Sequence, residues 1–370
     1  MPARVLPSTL IIRHFPGSDP SVFQVTRLSD GKTTEPASPP SPVGFPVEGR
    51  PNSGLMRELQ WYLETFLDYP FPPETDHAEC VLQSLKQWGE QTFDALFGSR
   101  AAGRMFDAAT SEDYTRLHLQ ISSDDARVLA WPWEVLRDPE LGYLAQTCQI
   151  ERRLNKLRDP QPLPASLPGN RVNILLVVAR PYRHDVGYRS IARPLVELIE
   201  KQKLPAYVHL LRPPTFDQLR QHLRARPGYY HILHFDGHGA YSSGSPGNGR
   251  GYVLSAPEGK LVFETDDGEP DYITAEQLST LLHECSVPGV VLNACQAAML
   301  DERAEDPFAS VAAALLRAGM RSVVAMAYSL YVSGAQQFLP AFYGRLFETG
   351  SVAEAVRAGR QRMRAHPDRV

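Results

Sequence analysis

The sequence predicts an α/β fold in which a mostly parallel sheet carries helices on both faces, preceded by a smaller α+β unit. Three observations carry that expectation. From about residue 171 onward, strands that are apolar on both faces (VNILLVVA, YYHILHF, GVVLNAC) alternate with amphipathic helical segments, the pattern of a parallel sheet buried on both sides. Before that point the alternation is different, with a strand pair, then helices, then short strands. Between the two regimes runs RDPQPLPASLPGN at 158–170, whose proline content marks a linker. The predicted division is therefore an N-terminal unit over 1–157, a linker over 158–170 and the α/β domain over 171–370.

In chain order, TLIIRHF and SVFQVTRL alternate apolar and polar residues as a β-ribbon does. The stretch DGKTTEPASPPSPVGFPVEGRPNSG at 30–54 separates that ribbon from helices expected around 55–68 and 79–97. TRLHLQISS and a Trp-rich turn, WPWEVLRDPELGYLAQTCQIERRL, complete the unit.

In the second half the succession is VNILLVVA, SIARPLVELIEKQ, AYVHLLRP, TFDQLRQHLRA and YYHILHF, with that last strand ending at Phe235. An insertion comes next, in which GYVLS and KLVFE read as a hairpin with mobile edges. TAEQLSTLLH, GVVLNAC, PFASVAAALLRAG, SVVAMAYSLY and closing helices from about Gly334 complete the chain. Capping-box patterns at Thr215–Gln218, Thr274–Gln277 and Ser351–Glu354 mark helix starts.

A chain of 370 residues with 43% apolar content supports a sizeable core. The net charge of −4 argues against nucleic acid as a direct partner. The four cysteines, Cys80, Cys148, Cys285 and Cys295, form no CxxC pair or dense framework and read as reduced thiols. No secretory leader or run of roughly 20 apolar residues is present, so the expected setting is the cytoplasm, away from a membrane. The glycines of GSPGNGRG neither follow a core strand nor open a helix and lack GK[ST], so they do not form a phosphate-binding loop.

In open α/β sheets ligands bind beyond the carboxyl ends of the strands. His238, in HFDGHG after one strand, and Cys295, after GVVLNA, occupy such positions. If the two strands are neighbours, imidazole and thiol face one cleft. A free thiol is largely protonated at neutral pH, and an adjacent imidazole makes the reactive thiolate. The backbone amides of Gly239 and Cys295 are then placed to donate to a tetrahedral oxyanion. A lone cysteine at a strand end is more often a small core residue; the histidine at a second strand end reverses that preference. Cys80, Cys148 and Cys285 read as structural. His231, His234 and His238 also suggest a metal-dependent hydrolase, but side-chain alternation prevents all of them from converging and no HExxH or CxxC supports zinc. No metal or cofactor is expected. Asp236 is assigned either to fixing the turn at His238-Gly239 by accepting backbone amides, which is preferred, or to touching substrate.

At this point the chain resembles the CHAT domains, caspase-like cysteine peptidases of the clan of caspases and separase. The blocks that carry the resemblance are WPWEVLRDPELGYLAQ, VVARPYR, GYRSIARPL, HFDGHG, VVLNACQAA and FYGRLFETGSVAEAVRAGRQRM, spread from about residue 115 to the end. It implies a caspase-like sheet with a His238/Cys295 dyad that needs no third, acidic member. Cys295 follows His238 by 57 residues, 295 minus 238, near the roughly 50 of caspases. The caspase signature QAC[RQG]G is replaced by NACQA, which removes any warrant for cleavage after aspartate. The resemblance implies that AMAYSLY lines the substrate channel, with Ala327, Tyr328 and Ser329 near the peptide. Arg180 and Arg183 are candidates for reading an acidic or polar substrate group. The acidic run Glu264, Asp266, Asp267, Glu269 and Asp271 is a candidate for holding a basic group, against its plainer reading as a solvated loop.

The activity so implied is endopeptidase cleavage of a partner protein, one encoded nearby among them, under a sensor or regulator, in bacterial defence or programmed cell death. A non-catalytic caspase-like scaffold is the alternative from another class. No repeat module follows the last helix, so either a longer polypeptide or a separate regulator is expected.

Overall fold

The computed structural model describes residues 8–111, 113–155, 162–182, 189–242, 258–295, 311–325 and 332–365. It divides into two compact units, Met1–Asn155 and Lys156–Val370.

In the first unit β1 (Ser8–Phe15) and β2 (Val22–Arg27) form the antiparallel ribbon that their alternation predicts. A short pair, β3 (Pro46–Val47) and β4 (Arg50–Gly54), leads into α1 (Leu55–Glu64) and α2 (Glu74–Phe97). α3 (Arg100–Thr110) is a helix that the sequence pattern does not announce; the Ser99 hydroxyl caps it by accepting the Ala102 amide. β5 (Leu117–Ser122), α4 (Ala126–Leu129), the two-residue strands β6 (Arg137–Asp138) and β7 (Gly142–Tyr143), α5 (Leu144–Thr147) and β8 (Gln149–Arg153) come next. The sheet order is β2-β1-β5-β8, with β5 parallel to both β1 and β8.

The Trp-rich block is the core of this unit. Trp88 and Trp133 are fully buried, and their indole N–H groups donate to the carbonyls of Pro40 and Val128, as a buried indole requires. Arg152 closes the block with a two-pronged bond to Glu134, each prong 2.6 Å, and a third bond to the Leu129 carbonyl. Gly89 allows α2 to touch this region, because a Cβ there would lie 1.9 Å from the Val135 carbonyl oxygen. Gly89→Ala is accordingly expected to destabilise the unit despite the better helix propensity of alanine, seen as a lowered urea midpoint.

The second unit contains β9 (Val172–Val178), α6 (Arg189–Gln202), β10 (Ala206–Leu210), α7 (Phe216–Ala225) and β11 (Ile232–Ser242). β12 (Glu258–Glu264), β13 (Pro270–Thr274), α8 (Ala275–Glu284), β14 (Gly289–Cys295), α9 (Val311–Arg317), β15 (Ser322–Ala325), α10 (Val332–Thr349) and α11 (Val352–Arg364) complete it. β10, β9, β11, β14 and β15 pair side by side, all parallel. α7, α8 and α9 cover one face through Leu219, Leu278, Leu282 and Leu315. On the other face α6, α10 and α11 pack Leu195, Phe338, Phe342, Tyr343 and Ala355. Strand residues buried on both sides explain why these runs read as continuously apolar, each fully buried Leu, Val or Phe contributing about 1.5–3 kcal/mol. The Thr274 capping box is reciprocal with Gln277, and the hydroxyls of Thr215 and Ser351 accept the amides of Gln218 and Glu354.

Two expectations are corrected by the fold. β11 does not end at Phe235 but runs to Ser242, and there is no turn at His238-Gly239. KLVFE is not a mobile hairpin edge: it lies in β12, with Leu261, Val262 and Phe263 fully buried. The reason is backbone pairing. β9 ends at Val178, opposite Asp236, and from His238 onward β12 takes over the ladder in the antiparallel sense. β13, also unanticipated, pairs with β12, whereas GYVLS lies outside the described residues. Among the described residues no helix is long and apolar enough to cross a membrane.

His234 sits in the core with its Nδ1 2.8 Å from the Tyr343 hydroxyl, and burial holds its pKa down to about 3. An unfolded histidine takes up a proton below about pH 6.5 while this one does not until about pH 3. The contribution of His234 to stability is therefore complete above pH 6.5 and is lost as pH falls, at about 1.4 kcal/mol per pH unit. The urea midpoint is expected to fall between pH 6.5 and 5.5, and His234→Gln is expected to flatten that fall; an equal fall in both proteins would contradict this assignment.

Candidate active site

Both residues that the sequence singled out lie on neighbouring strands. β11 and β14 run parallel in a register that pairs Asp236 with Asn293, Gly237 with Ala294, and His238 with Cys295. Cys295 is the last residue of β14. His238 is half-buried and pairs on its other side with Val262 of β12, while Gly239 pairs with Leu261. Neighbouring strands are about 4.8 Å apart, so the register brings the two backbones as close as sheet geometry allows.

Gly237 has a steric reason to be glycine: a Cβ there would stand 2.8 Å from the Phe235 ring and 3.3 Å from the Ala179 carbonyl oxygen. The Phe235 ring is fully buried in the core and cannot give way at low cost. The Tyr182 ring meets the His238 imidazole edge-to-face, with centroids 4.9 Å apart, and remains 41% exposed. Tyr182 thus stands at the solvent edge beside the imidazole.

Asp236, assigned to a turn or to substrate, and Arg180, a candidate for reading substrate, meet each other. Arg180 Nη2 donates to Asp236 Oδ2 at 2.5 Å, and Nη1 donates to the Asp236 and Ala179 carbonyls at 3.0 and 2.9 Å. The Asn293 amide donates to Asp236 Oδ1 at 2.7 Å. The carboxylate is almost fully buried. Burial pushes its pKa up, and the Arg180 guanidinium and the Asn293 amide oppose that rise. The preferred role of Asp236, fixing a turn, is corrected: the residue lies within a strand, where no turn forms, and its carboxylate accepts from side chains. Glu264 of the acidic run accepts the Arg180 backbone amide at 2.6 Å. Ala327, Tyr328, Ser329 and Arg183 lie outside the described residues.

Sequence reasoning missed Asn293 and Tyr182. Asn293 stands two residues before Cys295 as Asp236 stands two before His238; that parallel spacing was a usable signal once the two strands were taken as neighbours. The other two histidines of the cluster have partners of their own. His231 Nδ1 accepts the Asn173 amide and its Nε2 lies 3.1 Å from the Pro168 carbonyl, while His234 is committed to Tyr343. Among the described residues no group of His, Cys, Asp and Glu is arranged to hold a metal ion.

The family model of the CHAT domain matches residues 84–369, most of the chain. The chain belongs to the CHAT domain family. The match begins in α2, earlier than the expected start near 115, and so takes in α2 from Ser84, α3 and the tryptophan core. No curated protein matches the chain. As a CHAT domain it is caspase-like, and its mixed α/β architecture, with a mostly parallel sheet, accords with that fold.

Proposed function

We propose that this CHAT domain is a cysteine endopeptidase in which Cys295 is the nucleophile and His238 the general base. The observation that carries the reading is the Cα register that pairs His238 with Cys295, the last pair between β11 and β14. Paired positions on adjacent strands share one face of a sheet, which is what proton transfer between thiol and imidazole needs.

His238 takes the thiol proton, and the thiolate sulfur bonds to the peptide carbonyl carbon as the carbonyl electron pair moves to oxygen. The amides of Cys295 and Gly239 donate to that oxyanion, a contribution of about 10²–10³ in rate for each such donor. Collapse of the intermediate breaks the C–N bond, and His238 returns its proton to the departing amine. Water, deprotonated by His238, then hydrolyses the thioester and frees the sulfur. The substrate is a protein, the activity is switched by a sensor or regulator, and the setting is defence or programmed cell death; these parts rest on the family.

Thiol alkylation tests the pair. In the native protein Cys295 is expected to react with iodoacetamide faster than Cys80 at pH 7, and His238→Ala to remove that advantage. Equal rates for the two thiols in the natural chain would favour a non-catalytic scaffold.

A further inference from the structure

Asp236, Arg180 and Asn293 form a polar cluster whose position stability does not explain. A buried ion pair is seldom more stabilising than an apolar pair of the same volume. Yet this one stands where β9 ends and joins the three strands that meet there. Arg180 leaves β9 and grips both the carbonyl and the carboxylate of Asp236 on β11. Asn293 on β14 donates to the other carboxylate oxygen. Asp236 and Asn293 are themselves register partners.

The cluster lies immediately before the candidate dyad on both strands. The next register pair is Gly237 with Ala294, a hydrogen and a methyl, which offer little to fix one strand against the other. Beyond it comes His238 with Cys295. A slip of one residue would move a strand's side chains to the opposite face. The bond from the Asn293 amide to Asp236 ties the two strands together two register positions before His238 and Cys295.

We propose that Arg180, Asp236 and Asn293 are a clamp that holds β11 and β14 in register, making Asp236 and Asn293 positioning residues for the His238–Cys295 pair. The clamp rests on the peptidase reading of that pair and deepens it: the acidic residue acts through strand register and not as a hydrogen-bonded third member of a triad.

The test is the pH dependence of Cys295 alkylation by iodoacetamide, read by peptide mass spectrometry with Cys80 in the same sample as the reference thiol. Asp236→Ala, Asp236→Asn and Asn293→Ala are compared with the natural chain, each checked for folding by its melting transition. In the natural chain the half-rise of the Cys295 rate is expected below the roughly 8.5 of an ordinary thiol. In Asp236→Ala and Asn293→Ala it is expected to move toward that value, with at least a tenfold slower reaction at pH 7. Asp236→Asn, whose amide oxygen still accepts from Asn293, should recover part of the loss. Folded variants that melt earlier but keep the natural rate and half-rise would overturn the clamp and leave the pair standing. A natural chain whose Cys295 behaves like Cys80 would instead overturn the pair itself, and the clamp with it. If Asp236→Ala does not fold, Asp236→Asn and Asn293→Ala decide the outcome.

Discussion

Mixed with the proteins encoded beside it, the natural chain is expected to yield new fragments, and Cys295→Ala to yield none. On the proposed mechanism alanine removes the sulfur that forms the thioester, so a loss of at least ~10³-fold is expected. His238→Ala should fall by a similar factor at neutral pH, because the thiol then keeps its proton. The double variant should be no worse than either single one, since residues that act as a unit are not additive. Mass spectrometry of the fragments gives the residue before the scissile bond. Fragments of undiminished yield from Cys295→Ala would end the peptidase reading.

The second large effect is on stability. Asp236→Ala is expected to cost about 3–5 kcal/mol, because it leaves the Arg180 guanidinium facing a buried site with its carboxylate gone. Asn293 also loses its acceptor. The pairing is tested by a double-mutant cycle: Asp236→Leu with Arg180→Met should lose much less than the sum of the single changes. Additive losses measured by urea unfolding would mean that the two side chains are energetically independent, against the 2.5 Å contact between them.

The site was legible in the sequence in one respect and not in another. HFDGHG and VVLNAC each announce a chemically capable residue where an apolar run gives out, because a run of apolar side chains must be buried and its first polar residues mark where that burial ends. Asp236 and Arg180 were visible as charged residues at such edges. That they would neutralise each other was not, since their separation in sequence, 56 residues, carries no information about contact.

The strand boundary at Phe235 illustrates the same limit. Hydropathy drops at Asp236, and a one-dimensional reading ends the strand there. Backbone groups beyond that point nonetheless need partners, and β12 supplies them from His238 to Ser242. The strand β13 and the helix α3 were missed as well, and β12, read correctly as a strand from KLVFE, was taken for a mobile edge because its pairing with β11 is not visible in its own residues.

By itself, then, the sequence determined the class of the fold, the succession of apolar strands and amphipathic helices in the second unit, and the two residues worth testing, because periodicity and strand-end chemistry are local properties. Only the tertiary structure decided that β11 and β14 are neighbours in the register that pairs His238 with Cys295, and that Asp236 is held by Arg180 and Asn293. Register and ion pairing depend on which distant backbones close their hydrogen bonds against one another, and no local pattern specifies that choice.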